Sequence, residues 1–473
     1  MLAVNSSGDV TADGDQFDPR PRVSECATTF TGTDNSVSGA RVVSPYAAAR
    51  STPRRLRPRF CEERHNGADG VRAHGAVPFP GRAATRGGTG GAEASSDERD
   101  GVSVSSNDQG TRTLRAGVIG LGYTGNQHLR GYQALPNVEI VALAGLEDAP
   151  REALGATYGV PHLYREWQEL LERDDLDLIS ICTPNSLHAP IAIAALEGGH
   201  HVLCEKPLAR NSVEAEAMVR AARAANRVLQ TVFNHRARGD VSLLKRHIDE
   251  GGLGRIYHAK SFWMRRSGIP SLGSWFTSKE MAGGGPLIDL GVHMLDMGLY
   301  LLGDPVAVTV SGATYAELGP QGRGESASAA KHIVGSAFEV EDLAMAFVRF
   351  ANGTTLQLEV SWAVYGSAHD NFGVTLFGTD GGAELNVVNY AEEDTLRLFT
   401  DVAGQPAVIA PRIPKNEGHL RVVREFVAIV QGGEWLHYHG EEGLKRAQII
   451  DACYASAQQG REVLIEAVAA GVE

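Results

Sequence analysis

The sequence predicts an α/β protein built in two parts: a doubly wound parallel sheet first, then a large open, mainly antiparallel sheet with helices on one face. Three observations predict it. Apolar runs of strand length alternate with helical stretches from Leu114 to Phe233, the rhythm that crossover units impose. A glycine-rich turn separates the first strand from the first helix. After about Asn234 the rhythm changes to extended segments joined by short turns such as Asn352-Gly353 and Asp380-Gly381, which pair strands antiparallel.

In the first part, Ala116-Gly117-Val118-Ile119-Gly120 reads as a short buried strand, followed by a helix over Tyr123 to Leu135 and a strand over Glu139 to Ala144. Helical stretches follow at Arg151 to Tyr158 and Trp167 to Glu172, then a strand at Asp177 to Thr183 and a helix at His188 to Glu197. The strand His201 to Cys204, the helix Val213 to Ala225 and the strand Val228 to Phe233 complete it. The second part opens with a helix, Val241 to Glu250, and a strand ending at Trp263. A glycine-rich loop leads to a helix over Leu287 to Leu302. Extended segments follow at Val306 to Thr314, Asp342 to Phe350, Thr354 to Trp362 and Gly373 to Phe377, then helices at Gly418 to Val430 and Glu441 to Gln458.

The expected domains are thus 113–236 and 237–473, preceded by an extension over 1–112. That extension is rich in Gly, Ser, Thr, Ala, Arg and Asp and has no lysine or periodicity. Such a segment buries too little apolar surface to offset its ordering entropy, so disorder is expected. Arg54-Arg55 is followed by Leu56-Arg57-Pro58-Arg59 and not by an apolar core, so it is not read as an export signal. The extension has no methionine after Met1, which raises the alternative of a start codon assigned too far upstream.

Net charge is −13, and the extension balances its charges, so the acidity belongs to the body. An acidic body argues against nucleic acid and anionic membrane as partners. No run of 18 apolar residues occurs to span a membrane. Five scattered cysteines without a Cys-x-x-Cys fit a reducing cytoplasm.

Gly120-Leu121-Gly122-Tyr123-Thr124-Gly125 allows a tight turn, a close backbone approach to a pyrophosphate and helix–strand packing. The following helix start offers amide donors to phosphates. Where the second strand should end in a ribose-binding acid, the chain has Gly145-Leu146-Glu147-Asp148. Glu147 could substitute, favouring NAD; equally, the missing acid leaves room for a 2′-phosphate with Arg151 as counter-charge, favouring NADP. The reading leans slightly to NAD. Thr183, Pro184, Asn185 and His188 follow the strand at Asp177 to Thr183, where ligands bind in such sheets. Asn185 or Ser186 could equally cap the next helix.

Arginines number 37 and lysines seven, and the first lysine is Lys206, in Glu205-Lys206-Pro207. A desolvated ammonium can give up a proton under working conditions and a guanidinium cannot. Downstream, Gly283-Gly284-Gly285-Pro286 leads into a helix carrying Asp289, His293 and Asp296. Asp289 and His293, four apart, share a helix face, where a carboxylate could raise the imidazole's basicity. Asp-x-x-x-His supplies too few ligands for a metal. Asn234, Arg265, Trp275 and Phe276 are candidate pocket residues.

Together Gly120-x-Gly122-x-x-Gly125, Thr183-Pro184-Asn185-x-x-His188, Glu205-Lys206-Pro207 and Gly284-Gly285-x-x-x-Asp289-x-Gly291-x-His293 resemble the glucose–fructose oxidoreductase, inositol dehydrogenase and rhizopine-catabolism (Gfo/Idh/MocA) family across Leu114 to Val463. The resemblance implies a Rossmann domain joined to an α/β domain with a large open sheet, assembled as a homodimer or homotetramer. It implies catalytic roles for Lys206, Asp289 and His293, with NAD or NADP at the glycine turn, and hydride transfer to or from a sugar, cyclitol or keto-sugar. His293 would take the hydroxyl proton, Lys206 polarise the oxygen and Asp289 steady the charge. Two alternatives remain open at this point: a non-catalytic sugar and dinucleotide sensor, and glycoside cleavage through transient oxidation by tightly held NAD.

Overall fold

The computed structural model describes residues 112–327, 338–366 and 369–465. The expectation for 1–112 falls outside the described residues, Arg112 excepted. Ala116, Val118 and Ile119 are buried, as a strand covered on both faces must be. They belong to β1 (Leu114–Ile119), which is followed by α1 (Tyr123–Gln133), β2 (Val138–Ala144), α2 (Asp148–Tyr158), β3 (His162–Tyr164) and α3 (Trp167–Leu171). Next come β4 (Leu178–Ile181), α4 (His188–Glu197), β5 (His201–Glu205), α5 (Ser212–Ala225) and β6 (Leu229–Val232). The six strands form a sheet in the order β3-β2-β1-β4-β5-β6, parallel throughout. Since β2 lies on one side of β1 and β4 on the other, the chain reverses direction there and opens a crevice at the strands' carboxyl ends.

The second part runs α6 (Gly239–Asp249), β7 (Ile256–Arg265), α7 (Lys279–Ala282), a π-helical turn (Leu287–Gly291) and α8 (Val292–Leu301). It continues with β8 (Ala307–Tyr315), β9 (Leu343–Phe350), β10 (Thr355–Ser361), β11 (Asp370–Gly378), β12 (Gly382–Val388), β13 (Leu396–Val402) and β14 (Gln405–Ile409). α9 (Gly418–Gly432), α10 (Glu441–Gln459) and β15 (Val463–Leu464) close the chain. Among the described residues the sheet has nine strands in the order β14-β13-β12-β11-β7-β10-β9-β8-β15. β10 pairs parallel with β7 and antiparallel with β9, so the sheet is mainly antiparallel as expected. Ala259, Ser261 and Trp263 on one face of β7 are buried under helices, together with Leu356, Leu358 and Val360 of β10.

Two expectations need correction. The single helix over Leu287 to Leu302 is instead a π-helical turn that passes into α8. The cut at 236/237 also fails for α9. Its Val422, Val423, Phe426, Val427 and Val430 are buried with Val118, Leu129 and Tyr132 in the core of the first part. Gly131 of α1 permits this, because a Cβ there would stand 2.8 Å from the Val423 side chain. Helical periodicity reveals that a face is buried but not which sheet covers it.

Candidate active site

The glycine turn fits a pyrophosphate. Gly120 has φ +92°, and a Cβ there would lie 2.3 Å from the Cys182 carbonyl oxygen; one on Gly125 would lie 2.1 Å from the Gly120 carbonyl. Gly122 instead faces open space. It caps α1, whose start has neither a side-chain cap nor an acid in its first turn, leaving the helix's first amide donors for an anion. Tyr123 and Thr124 line the adjoining cleft. At the end of β2, Glu147 is exposed and stands at the start of α2. Arg151 bonds the Gly145 carbonyl (2.6 Å) and the Asp148 carboxylate (2.5 Å), and Arg165 bonds the Leu146 carbonyl.

The segment after β4 divides its work. Thr183 Oγ1 is buried without a partner. Asn185 donates its side-chain N–H to the Ala282 carbonyl, and the His188 ring nitrogens lie 2.8 Å from the Pro207 carbonyl oxygen and 2.9 Å from that of Thr183. Asn185 and His188 tie the β4 loop to the Lys206-Pro207 turn and to the glycine-rich segment.

Glu205, at the end of β5, is buried between two imidazoles. His128 Nε2 from α1 and His419 Nε2 from α9 each lie 3.2 Å from its Oε1. Burial alone would raise the Glu205 pKa, but the two imidazole hydrogen bonds outweigh it and hold the carboxyl well below its ordinary value. His128 is kept neutral by burial, so its Nε2–H donates to Glu205 while Nδ1 accepts from Ser180 Oγ. Tyr132 donates to Ser180 in turn.

Lys206 crosses from the first part to the second. Its Nζ lies 2.9 Å from Asp289 Oδ1 and 3.2 Å from the Asp289 carbonyl oxygen. Trp362 Nε1 donates to Asp289 Oδ2 at 2.9 Å. Burial works against the Asp289 carboxylate, but the Lys206 and Arg265 charges and these hydrogen bonds prevail and lower its pKa. His293 lines the same cleft, but among the described residues its ring makes no hydrogen bond to Asp289, whose oxygens meet Lys206 and Trp362, so the expected carboxylate hydrogen bond to the imidazole is not made. Burial first, then the charges of Lys206 and Arg265, hold the His293 pKa well below the ordinary 6.5. Asp296 turns away, paired with Arg236 and Arg446.

Asn234, Arg265 and Phe276 line the cleft as expected, and Trp275 stacks on Phe276 with centroids 3.8 Å apart. The structure adds His235, Arg238, Tyr390 and His419. His235 directly follows Asn234 beyond β6, so the rule that ligands bind at the carboxyl ends of parallel strands could have flagged it. His419 and Trp362 had no sequence signal, because only tertiary packing brings them in.

Sheet and cleft define the class: a two-part oxidoreductase with a dinucleotide cradle at the switch point and a charged, histidine-lined cleft beside it. Residues 114–233 match the profile described as "Oxidoreductase family, NAD-binding Rossmann fold", and residues 241–384 match the GFO/IDH/MocA C-terminal domain. The chain belongs to this Gfo/Idh/MocA oxidoreductase family. It is 33 % identical over 352 residues to the D-glucoside 3-dehydrogenase of Escherichia coli (strain K12), covering 74 % of this chain and 97 % of the relative. It is 31 % identical over 380 residues to the levoglucosan dehydrogenase of Pseudarthrobacter phenanthrenivorans, covering 73 % and 96 %. Among solved structures, a levoglucosan dehydrogenase in complex with NADH superposes with a TM-score of 0.67 at 26 % identity, covering 75 % of this chain and 100 % of that one.

Proposed function

We propose that the protein is an NAD-dependent dehydrogenase or reductase acting on an uncharged sugar, cyclitol or related polyol. The observation that carries this reading is the meeting of Lys206 with Asp289 at 2.9 Å in the cleft that His293 also lines. Bound nicotinamide supplies the hydride acceptor. Lys206 polarises the substrate oxygen and Asp289 steadies the ammonium. His293, unprotonated across the neutral range, takes the hydroxyl proton; its depressed pKa keeps it available and also makes it a weaker base. Positioned acid–base groups of this kind contribute roughly 10²- to 10⁴-fold.

An uncharged substrate follows from how the cleft's cations are occupied. Lys206 is paired with Asp289, Arg238 with Asp240, and Arg265 with Asp370. A phosphate or carboxylate would meet a carboxylate already beside each of these cations, and like charges repel. Names of the relatives, which include a D-glucoside dehydrogenase and a myo-inositol 2-dehydrogenase, support the same class. A panel of cyclitols, aldoses, glycosides and sugar acids, followed by NADH absorbance, tests it. Turnover of uncharged members is expected; a silent panel with confirmed NAD binding overturns it.

Assembly as a homodimer or homotetramer is part of the same proposal. Tyr315 and Met345 stand exposed on one face of the second sheet, beside Phe347 and, across β10, Phe262. These exposed apolar side chains, set among Lys260, Glu359 and Arg349 on the same face, suit a second copy, and light scattering in solution tests it. Among the described residues no helix is long and apolar enough to cross a membrane. Cys182, Cys204 and Cys453 are free thiols, which suits a reducing cytoplasm.

A further inference from the structure

We propose that His235 is a specificity-determining residue that hydrogen-bonds the hydroxyl next to the one being oxidised, so that the preferred substrate is a vicinal diol. This rests on the dehydrogenase reading above and adds a second point of recognition to it.

His235 belongs to a short 3-10 turn, Asn234–Ala237, directly after β6. Its ring centroid lies 4.6 Å from that of His293, and both rings line the cleft. Each residue is only 8 % exposed. The Nδ1 of each is nevertheless buried without a partner, and among the described residues neither imidazole makes a hydrogen bond. Buried polar groups are normally satisfied, and several buried histidines among the described residues obey the rule. His128 bonds Ser180 and Glu205, His200 the Leu176 carbonyl, and His201 the Val228 amide. His235, His293 and His439 depart from it, and of these His235 and His293 are neighbours in the cleft.

Packing holds the His235 ring where hydrogen bonds do not. It lies against Trp263 at 5.3 Å and edge-on to Phe372 at 5.2 Å. That clamp fixes the plane and, with Nδ1 buried, leaves Nε2 for a ligand in the cleft. A neutral imidazole offers one donor and one acceptor, which matches a hydroxyl group. Burial first, then the charges of Arg238 and Lys206, push the His235 pKa down to about 3, so the ring is neutral at working pH. Two neutral imidazoles side by side suit two hydroxyls on adjacent carbons, one for each ring. His293 takes the reacting hydroxyl and His235 takes its neighbour.

The test compares methyl β-D-glucopyranoside with its 2-deoxy and 4-deoxy analogues, using NAD and the full-length enzyme. For the wild type, kcat/KM is expected to fall roughly tenfold or more for at least one analogue, the scale of one lost hydrogen bond at a buried site. The His235→Phe enzyme keeps the ring packing and should no longer distinguish the glucoside from that analogue, with the NADH Kd unchanged. His235→Gln, which keeps a donor and an acceptor, should recover part of the discrimination. Equal wild-type kcat/KM for all three glucosides overturns the inference alone, and so does an equal loss on all three in His235→Phe. A wild type that binds NAD but is inert towards cyclitols, aldoses and these glucosides overturns the dehydrogenase reading and this inference with it.

Discussion

The indole N–H of Trp362 donates to Asp289 Oδ2 across 2.9 Å, leaving Oδ1 to Lys206 at the same distance. Trp362 is fully buried and lies directly after β10, so the second sheet fixes the carboxylate that meets the lysine of the first part. Removing the donor by Trp362→Phe leaves a buried carboxylate short of one charge-assisted hydrogen bond, an effect of about 1.5–3 kcal/mol. The expected outcome is a kcat/KM lower by roughly tenfold or more with the NADH Kd unchanged. That hydrogen bond lowers the Asp289 pKa, so its loss should also move the acid limb of the pH–rate profile to higher pH.

Lys206→Arg keeps the charge but spreads it over a wide planar group in place of a compact point charge against the substrate oxygen. A guanidinium would also have to meet Asp289 Oδ1 and the Asp289 carbonyl in a different geometry from the single ammonium. Steady-state assays should show kcat reduced about 100-fold or more, while fluorescence titration shows NADH still bound. Retained activity would sink the proposed role of Lys206.

Much of this site was legible because its chemistry is local in the sequence. The turn at Gly120 to Gly125 specifies a backbone path by the absence of Cβ atoms, and the Glu205-Lys206-Pro207 segment ends a buried strand. The arrangement around Asp289 was less legible. Spacing placed Asp289 and His293 on one helix face, but the π-helical turn over Leu287–Gly291 changes the helical phase between them. The Asp289 partners, Lys206 and Trp362, come from distant segments. His188 and Asn185 showed a similar limit: polar residues beyond a strand end can serve the ligand or the scaffold, and only their partners, Pro207, Thr183 and Ala282, reveal which. His419 needed the packing of α9 on α1, which depends on surfaces far apart in the chain.

Acid should destabilise the protein in two stages. Burial lowers the folded pKa of His128, His188, His235 and His293 below 6.5, so below about pH 6.5 the unfolded chain binds more protons and stability falls with pH. Glu205 and Asp289 have lowered folded pKa values. The stability they contribute is complete above their ordinary values and is lost only as pH drops through the folded ones. Denaturant unfolding from about pH 7 to pH 5 should therefore show a decline of up to about 1.4 kcal/mol per pH unit for each buried histidine. His235→Phe should flatten that slope, and a flat wild-type profile would contradict the assignment of these rings as neutral.

Cofactor choice turns on the end of β2. Gly145 stands where a ribose-binding acid is expected, so the pocket does not itself exclude a 2′-phosphate, and the nearby arginines decide the matter. Arg151 is committed to the Gly145 carbonyl and the Asp148 carboxylate, and Arg165 bonds the Leu146 carbonyl. Drawing either guanidinium onto a phosphate would uncap the β2–α2 turn. Glu147, exposed at the start of α2, remains free to accept from a ribose hydroxyl and would repel a phosphate there. Titration should therefore give an NADH Kd roughly tenfold or more below that of NADPH. Glu147→Gln should narrow the gap by weakening NADH and relieving the repulsion of NADPH. Gly125→Ala, whose Cβ would stand 2.1 Å from the Gly120 carbonyl oxygen, should abolish binding of both. Tighter NADPH binding by the wild type would mean that Arg151 or Arg165 leaves its backbone partner when the cofactor arrives.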